Sequence, residues 1–155
     1  MNKKERLVNM LKGIPGLISP DLIKIMMEMG HGDELVLADS NFPAASNAKR
    51  LIRYDGIRLA ALLDDILKYF PLDYRVNPVV FMKIPAEDMS FKKIQDLYLS
   101  MCISCSPNTI KADYEEREAF YNRSSKAYAI VATGETERFA NVIIRKGVIP
   151  DIKRG

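Results

Sequence analysis

The chain has 155 residues, of which 48% are hydrophobic and 28% charged, which is enough for one domain with a core and too few for two. Its 23 basic and 20 acidic side chains are scattered, so the formal charge of +3 gives no concentrated field for nucleic acid or lipid head groups. No run approaches the ~18 apolar residues of a membrane span, and no apolar segment of a signal peptide follows the polar N-terminus. We therefore expect a cytoplasmic protein that binds neither nucleic acid nor membrane, with a polar extension over residues 1–9 and one domain over residues 10–155.

The first predicted helix is followed by a buried strand. Ser19 can cap the helix and Pro20 fits its first position, and the pattern runs to about Met29. Residues 35–38 (LVLA) form a continuous apolar run, which is typical of a strand covered on both faces. Asp39 then lies at the carboxyl end of that strand, where ligands of α/β sheets usually bind, although an aspartate that caps the next turn would have the same sequence position.

The remaining pattern alternates between strands and helices. The predicted strands are short runs rich in apolar residues, at residues 51–54, 78–84, 109–112, 127–132 and 141–145. The predicted helices have either apolar residues at helical spacing or a charged surface, at residues 58–70, 91–103 and 114–126. This alternation predicts an α/β fold, with helices over a mixed, mostly parallel sheet and an antiparallel strand late in the chain.

The only histidine, His31, lies between Gly30 and Gly32 in the segment 29–34 (MGHGDE). An imidazole has an ordinary pKa of about 6.5 and can both give and take a proton at neutral pH. The flanking glycines keep bulk away from the ring and allow a sharp turn between helix and strand. His31 is therefore either a catalytic acid or base, or a residue that satisfies loose carbonyls at the end of a helix.

Two cysteines, Cys102 and Cys105, form a C-x-x-C sequence. Half a zinc site or a redox pair would share this spacing, but the chain has no second pair, and a single histidine excludes a Cys2His2 site. The pair also closes an apolar helical pattern, whereas a thioredoxin-like motif is expected where a helix begins. We expect reduced, partly buried thiols.

Several chemical motifs are absent from the sequence. It contains no phosphate-binding loop, no dinucleotide-binding glycine pattern, no nucleophile elbow and no cluster of metal ligands. These absences favour proton transfer without a metal or cofactor.

Five segments in order resemble the family of L-fucose mutarotases, which also contains D-ribose pyranase. They are residues 11–20 (LKGIPGLISP), 29–34 (MGHGDE), 38–44 (ADSNFPA), 132–135 (ATGE) and 145–148 (RKGV). The resemblance covers about residues 10–150. It implies a three-layer α/β/α fold, a ring-shaped homo-oligomer that is commonly a decamer, sites near subunit contacts, and interconversion of the anomers of a free monosaccharide without a cofactor.

The resemblance also assigns roles to individual residues. His31 would be the catalytic acid, Asp39 would bind the sugar, and Arg117 lies where fucose mutarotases have a basic sugar-binding residue. Asp33 is either the carboxylate that orients the imidazole or a plain turn residue.

A late segment would line the sugar pocket. Phe139, Ala140 and Asn141 match a segment that usually opens with tyrosine in this family. Phe139 has no hydroxyl, so any proton transfer or hydrogen bond made by that phenol is absent here or has moved to Tyr121 or Tyr128.

The predicted reaction opens and closes a cyclic hemiacetal with the help of two groups that give and take protons. Such general acid–base catalysis typically raises the rate by ~10²–10⁴-fold.

Residues 14–20, 32–34 and 120–121 resemble the fucose branch of the family more than D-ribose pyranase. A sugar-binding module without catalysis and a pure assembly protein are the alternatives from other classes. Residues of the late segment could also serve the His31 of a neighbouring subunit.

Overall fold

A six-stranded sheet forms the centre of the structure, a computed structural model that describes residues 9–150. The strands are β1 (Glu34–Ala38), β2 (Leu51–Tyr54), β3 (Val79–Met82), β4 (Ala112–Glu115), β5 (Ala129–Thr133) and β6 (Val142–Arg145). Their order in the sheet is β2-β5-β1-β6-β3-β4, and only β6 runs antiparallel to its neighbours. The predicted mixed, mostly parallel sheet with a late antiparallel strand is confirmed. All but one residue of the predicted extension over 1–9 lies outside the described part of the chain.

Among residues 9–150, five α-helices and one 3-10 helix precede or connect the strands. The α-helices are α1 (Pro20–Glu28), α2 (Ala44–Asn47), α3 (Leu59–Leu67), α4 (Lys92–Cys105) and α5 (Arg117–Lys126), and the 3-10 helix spans Ala86–Phe91. The cap predicted for α1 is present, because the Ser19 hydroxyl accepts a hydrogen bond from the Leu22 N–H at 3.1 Å. Within residues 9–150, no helix has the length and apolar character needed to cross a membrane.

The helices cover both faces of the sheet. Leu35 and Leu37 of β1 pack into a core that includes residues of α1, α3 and α4. Val36 and Ala38 point the other way, into a second core with residues of α2 and α5. All four side chains are fully buried, as expected for a parallel strand between two layers of helices. The structure is therefore a three-layer α/β/α sandwich.

The region between α4 and β5 differs from the prediction. The strand predicted at 109–112 lies at Ala112–Glu115, and the helix predicted from residue 114 begins at Arg117. The shift of the strand is caused by its pairing with β3, in which Val80 lies opposite Asp113 along a parallel ladder. Hydrogen bonds to a strand more than thirty residues away outweigh the local helical pattern.

Both cysteines are free thiols near the end of α4. Cys102 is fully buried, and burial raises the pKa of its thiol to about 12. Cys105 is exposed, and its Sγ lies 3.2 Å from the Cys102 carbonyl oxygen, so one thiol is buried and one exposed where two partly buried thiols were expected.

Candidate active site

A cavity of about 270 Å³ opens at the edge of the sheet where β1 and β3 end. It is lined by Asp39, Asn41, Phe42, Met82, Arg117, Tyr121, Arg138, Phe139 and Asn141. Five of the residues singled out in the sequence therefore surround one cavity, although they come from separate parts of the chain. Ala140 was expected to line the pocket, but its side chain is fully buried in the core.

Asp39 and Asn141 form the polar centre of this cavity. The Asn141 Oδ1 accepts the Asp39 N–H at 2.8 Å, and the Asn141 Nδ2 donates to the Asp39 Oδ2 at 3.1 Å. The Asn41 N–H donates to the other carboxylate oxygen at 3.0 Å. Burial raises the pKa of Asp39, and these hydrogen bonds offset the rise only in part. The remaining lone pairs of the carboxylate can accept hydrogen bonds from ligand hydroxyls.

Aromatic rings and guanidinium groups form the walls. The Tyr121 ring lies 5.3 Å from the Phe42 ring, and the Arg117 guanidinium lies 5.5 Å above the Tyr121 ring. On the other side, the Arg138 guanidinium lies 5.4 Å from the Phe139 ring. Such walls offer apolar faces to the C–H groups of a small polar ligand and N–H donors to its oxygens. No group of three or more possible metal ligands is present among residues 9–150.

His31 lies at the opposite edge of the sheet, in the turn before β1. Its Nε2 is 3.1 Å from the Asp73 Oδ2, and the Arg145 Nε contacts the same oxygen at 3.2 Å. Burial alone would raise the pKa of Asp73, but hydrogen bonds from the Arg75 N–H, His31 and Arg145 hold it below its usual value. An ionised Asp73 can only accept, so the His31 Nε2 carries the hydrogen and its Nδ1 is free for chemistry.

Asp73, and not Asp33, is the carboxylate that orients the imidazole. The Asp33 Oδ2 accepts the Gly30 N–H at 2.7 Å, so this residue stabilises the turn. The same turn is tied to β6, because the Gly32 N–H donates to the Lys146 carbonyl and the Lys146 N–H to the Asp33 carbonyl, both at 2.8 Å. The Lys146 Nζ donates to two carbonyls at the end of α1. Lys146, directly after β6, therefore holds the histidine turn and the end of α1 together.

A single chain does not bring His31 to the cavity. His31 precedes the first residue of β1 and Asp39 follows its last. Five extended residues at about 3.3 Å each place the ends of that strand roughly 16 Å apart. The predicted acid and the predicted sugar ligands are therefore on opposite edges of one sheet.

The two candidate tyrosines also lie at opposite edges. Tyr121 lines the cavity. Tyr128 lies at the beginning of β5, where its N–H donates to the Glu34 carbonyl at 2.9 Å and Arg50 stacks on its ring at 3.9 Å. Of the two, Tyr121 is thus the phenol that can reach a ligand bound at Asp39 of the same chain.

Comparisons with known proteins identify the family of this chain. A model of the RbsD / FucU transport protein family matches residues 12–149. The L-fucose mutarotase of Actinobacillus pleuropneumoniae is 45% identical over 142 residues, covering 91% of this chain and 99% of that protein. The crystal structure of the fucose mutarotase in complex with L-fucose from Streptococcus pneumoniae is 51% identical, with a TM-score of 0.84, and the match covers 90% of this chain and all of that one.

A more distant structure, Bacillus subtilis RbsD complexed with D-ribose, is 21% identical with a TM-score of 0.67, over 86% of this chain and 95% of that one. At this identity the likeness concerns the fold alone. The match of the family model and the two close relatives establish the family, and the chain belongs to the RbsD / FucU transport protein family.

Proposed function

We propose that this chain is an L-fucose mutarotase, an isomerase that interconverts the α and β anomers of L-fucose. The observation that carries the proposal is the 51% identity over 90% of the chain with the fucose mutarotase that was solved in complex with L-fucose. The cavity supports it with a carboxylate, an amide, guanidinium groups and a phenol, which are the groups that bind sugar hydroxyls in proteins. D-ribose pyranase is the weaker alternative, because the ribose-bound relative is only 21% identical.

Ring opening requires one group that takes the proton of the anomeric hydroxyl and one that gives a proton to the ring oxygen. In the proposed opening step, the neutral His31 Nδ1 takes the anomeric proton and the Tyr121 hydroxyl gives its proton to the ring oxygen. The bond between C1 and the ring oxygen breaks, and the C1 carbonyl forms. After rotation, closure on the other face of the aldehyde returns both protons, and the imidazolium of His31 is then the acid.

The other residues of the proposed site bind and stabilise. Asp39 and Asn141 accept and donate hydrogen bonds with sugar hydroxyls, and the Arg117 guanidinium faces the ring of Tyr121, where it can stabilise a phenolate. The negative charge of Asp73 stabilises the imidazolium while His31 holds the anomeric proton.

A second copy of the chain completes the proposed site. His31 and the cavity lie at opposite edges of the sheet, so the His31 of one protomer can act only at the cavity of another. A contact between two different edges that is not reciprocated by the same pair of copies is heterologous, and such contacts form a ring when the rotation from one copy to the next closes. We therefore propose a ring-shaped homo-oligomer, with the decamer implied by the sequence resemblance as its expected size.

We place the protein in the cytoplasm and propose that it needs no cofactor. Its two free thiols are what a reducing compartment maintains, and His31, Asp73 and Tyr121 provide the proton handling by themselves.

Saturation-transfer proton NMR on equilibrated L-fucose tests the function. Irradiation of one anomeric proton should reduce the signal of the other with the wild-type protein and not with H31A. K24A, which removes an exposed charge from the helix before His31, is the matched control and should retain transfer. Saturable fucose binding by folded wild-type protein without transfer would instead identify a binding module.

A further inference from the structure

Phe139 has a backbone conformation that phenylalanine rarely adopts. Its φ is 59°, in the left-handed region, where the Cβ of a residue other than glycine crowds the backbone. A bulky residue remains there only when its surroundings hold it. Phe139 lines the cavity, and its turn leads within two residues to Asn141, the partner of Asp39. The conformation of Phe139 therefore determines where this wall of the cavity lies.

Gln95 supplies the hydrogen bonds that hold this turn. Its side chain extends from α4, is 1% exposed, and donates from Nε2 to the Phe139 carbonyl at 3.1 Å and to the Met82 carbonyl at 2.8 Å. The ladder between β3 and β6 ends where Phe81 pairs with Val142, so both carbonyls lie beyond its last pair. One amide nitrogen thus connects the end of β3 to the turn before β6.

We infer that Gln95 is a positioning residue for the sugar site, which acts by holding Phe139 in its left-handed conformation from behind the cavity wall. The inference rests on the proposed function. Glutamine is suited to this position because one nitrogen carries two N–H donors for two carbonyls. An ionised glutamate would only accept, and an apolar side chain of the same length would donate nothing.

The first test replaces Gln95 with methionine, which keeps the length of the side chain and removes both donors. In Q95M the turn relaxes away from φ 59°, and we expect KM for L-fucose to rise on the order of tenfold, with a smaller change in kcat. C102A is the matched control, because Cys102 is fully buried on the same helix. C102A should lower the unfolding temperature and leave KM unchanged.

The second test asks whether the effect passes through Phe139. In F139G the left-handed conformation carries no steric cost, so adding Q95M should raise KM by less than about threefold relative to F139G alone. If Gln95 merely filled the core, Q95M would raise KM by the same factor in both backgrounds. Equal factors therefore overturn the inference.

The wild-type measurement separates the inference from the proposed function. No exchange of fucose anomers by the wild-type protein overturns both. Exchange by the wild type with an unchanged KM in Q95M overturns the role of Gln95 alone. If circular dichroism shows that Q95M does not fold, Q95A, which removes the same two donors and places no charge in the core, takes its place in both tests with the same expected rise in KM.

Discussion

Asp39 and Asn141 exchange two hydrogen bonds across 102 residues of sequence, and the direction of each bond is fixed by the chemistry of its partner. The Asp39 N–H can only donate and its carboxylate can only accept when ionised, so the residue opposite must offer one acceptor and one donor. Asparagine does so with a single side chain, whose Oδ1 accepts and whose Nδ2 donates.

Replacing Asn141 with aspartate should disable the site and destabilise the fold. N141D would place a second carboxylate beside the buried carboxylate of Asp39 and remove its donor, at a cost of about 1–3 kcal/mol in the free energy of unfolding. Urea denaturation at pH 7 and the exchange of fucose anomers measure the two effects. N108D makes the same change at an exposed residue and should alter neither. An N141D protein with wild-type stability would contradict the pairing.

Asp73 should act on the rate and not on sugar binding. D73N keeps the shape of the side chain but removes the charge that stabilises the imidazolium of His31. We expect kcat to fall by roughly 10–10²-fold, less than the full effect of a general acid or base because His31 itself remains, with KM nearly unchanged. D64N, at a largely exposed carboxylate on α3, is the control. A rise in KM without a loss of kcat would place Asp73 in the structure of the cavity instead.

The two tyrosines provide a direct contrast. Y121F removes the phenol that lines the cavity and should lower kcat by about 10²-fold or more. Y128F removes a hydroxyl that lies 3.5 Å from the Glu28 carboxylate, and kcat should stay unchanged if Tyr121 alone gives its proton to the ring oxygen. Adding F139Y to Y121F should recover part of the lost rate, because it introduces a second hydroxyl into the same cavity. Equal losses in Y121F and Y128F would contradict the proposed proton handler.

Some of these residues could be found in the sequence and others could not. The glycines around His31 and the strand end at Asp39 are local signals, because each depends on residues within a few positions. Asp73 has no such signal: it is one of 20 acidic residues and meets His31 only through a contact over 42 positions. For Asp33 the sequence leaves two roles open, and its contact with the Gly30 N–H corresponds to the turn residue.

The same limit applies to secondary structure. Residues 112–115 include two acidic residues, and the first and last of the four are half-buried while the middle two are exposed, so no alternation identifies a strand there. Pairing with β3 creates β4, and the helical pattern begins only after Glu116. Gln95 lies within a charged sequence and is nevertheless almost fully buried, because two carbonyls beyond the β3–β6 ladder require its donors.

Glu135 should contribute stability that depends on pH. Burial raises its pKa, but hydrogen bonds from the Glu137 N–H, Arg58 and the Thr136 N–H outweigh burial, and the pKa lies below its ordinary value of 4.5. The folded chain therefore binds this proton less tightly than the unfolded chain. The stabilisation is present above about pH 4.5 and is lost as pH falls through the lower pKa of the folded state.

E135Q should consequently be less stable than wild type at pH 7, by about 1–2 kcal/mol, and the difference should shrink as the pH falls below 4.5. Urea denaturation between pH 3 and 7 measures the gap. E87Q, at an exposed carboxylate, should show no such trend. A gap that widens in acid would mean that the hydrogen bonds to Glu135 do not favour its ionised form.

Mixing two inactive variants tests whether the site is shared between copies. H31A lacks the proposed acid and base but has an intact cavity, and D39N has an intact His31 but an altered cavity. In an equimolar mixture that has been dissociated and reassembled, about one quarter of the sites would combine an intact His31 with an intact Asp39, if each site takes them from different copies. The exchange of L-fucose anomers should then recover to about that fraction of the wild-type rate, while either variant alone stays inactive.

H31A alone, dissociated and reassembled by the same procedure, is the control for the reassembly. Because a site built within one chain can never regain both residues by mixing, a reassembled mixture without activity would mean that His31 reaches Asp39 in its own chain, against the roughly 16 Å that separate the ends of β1.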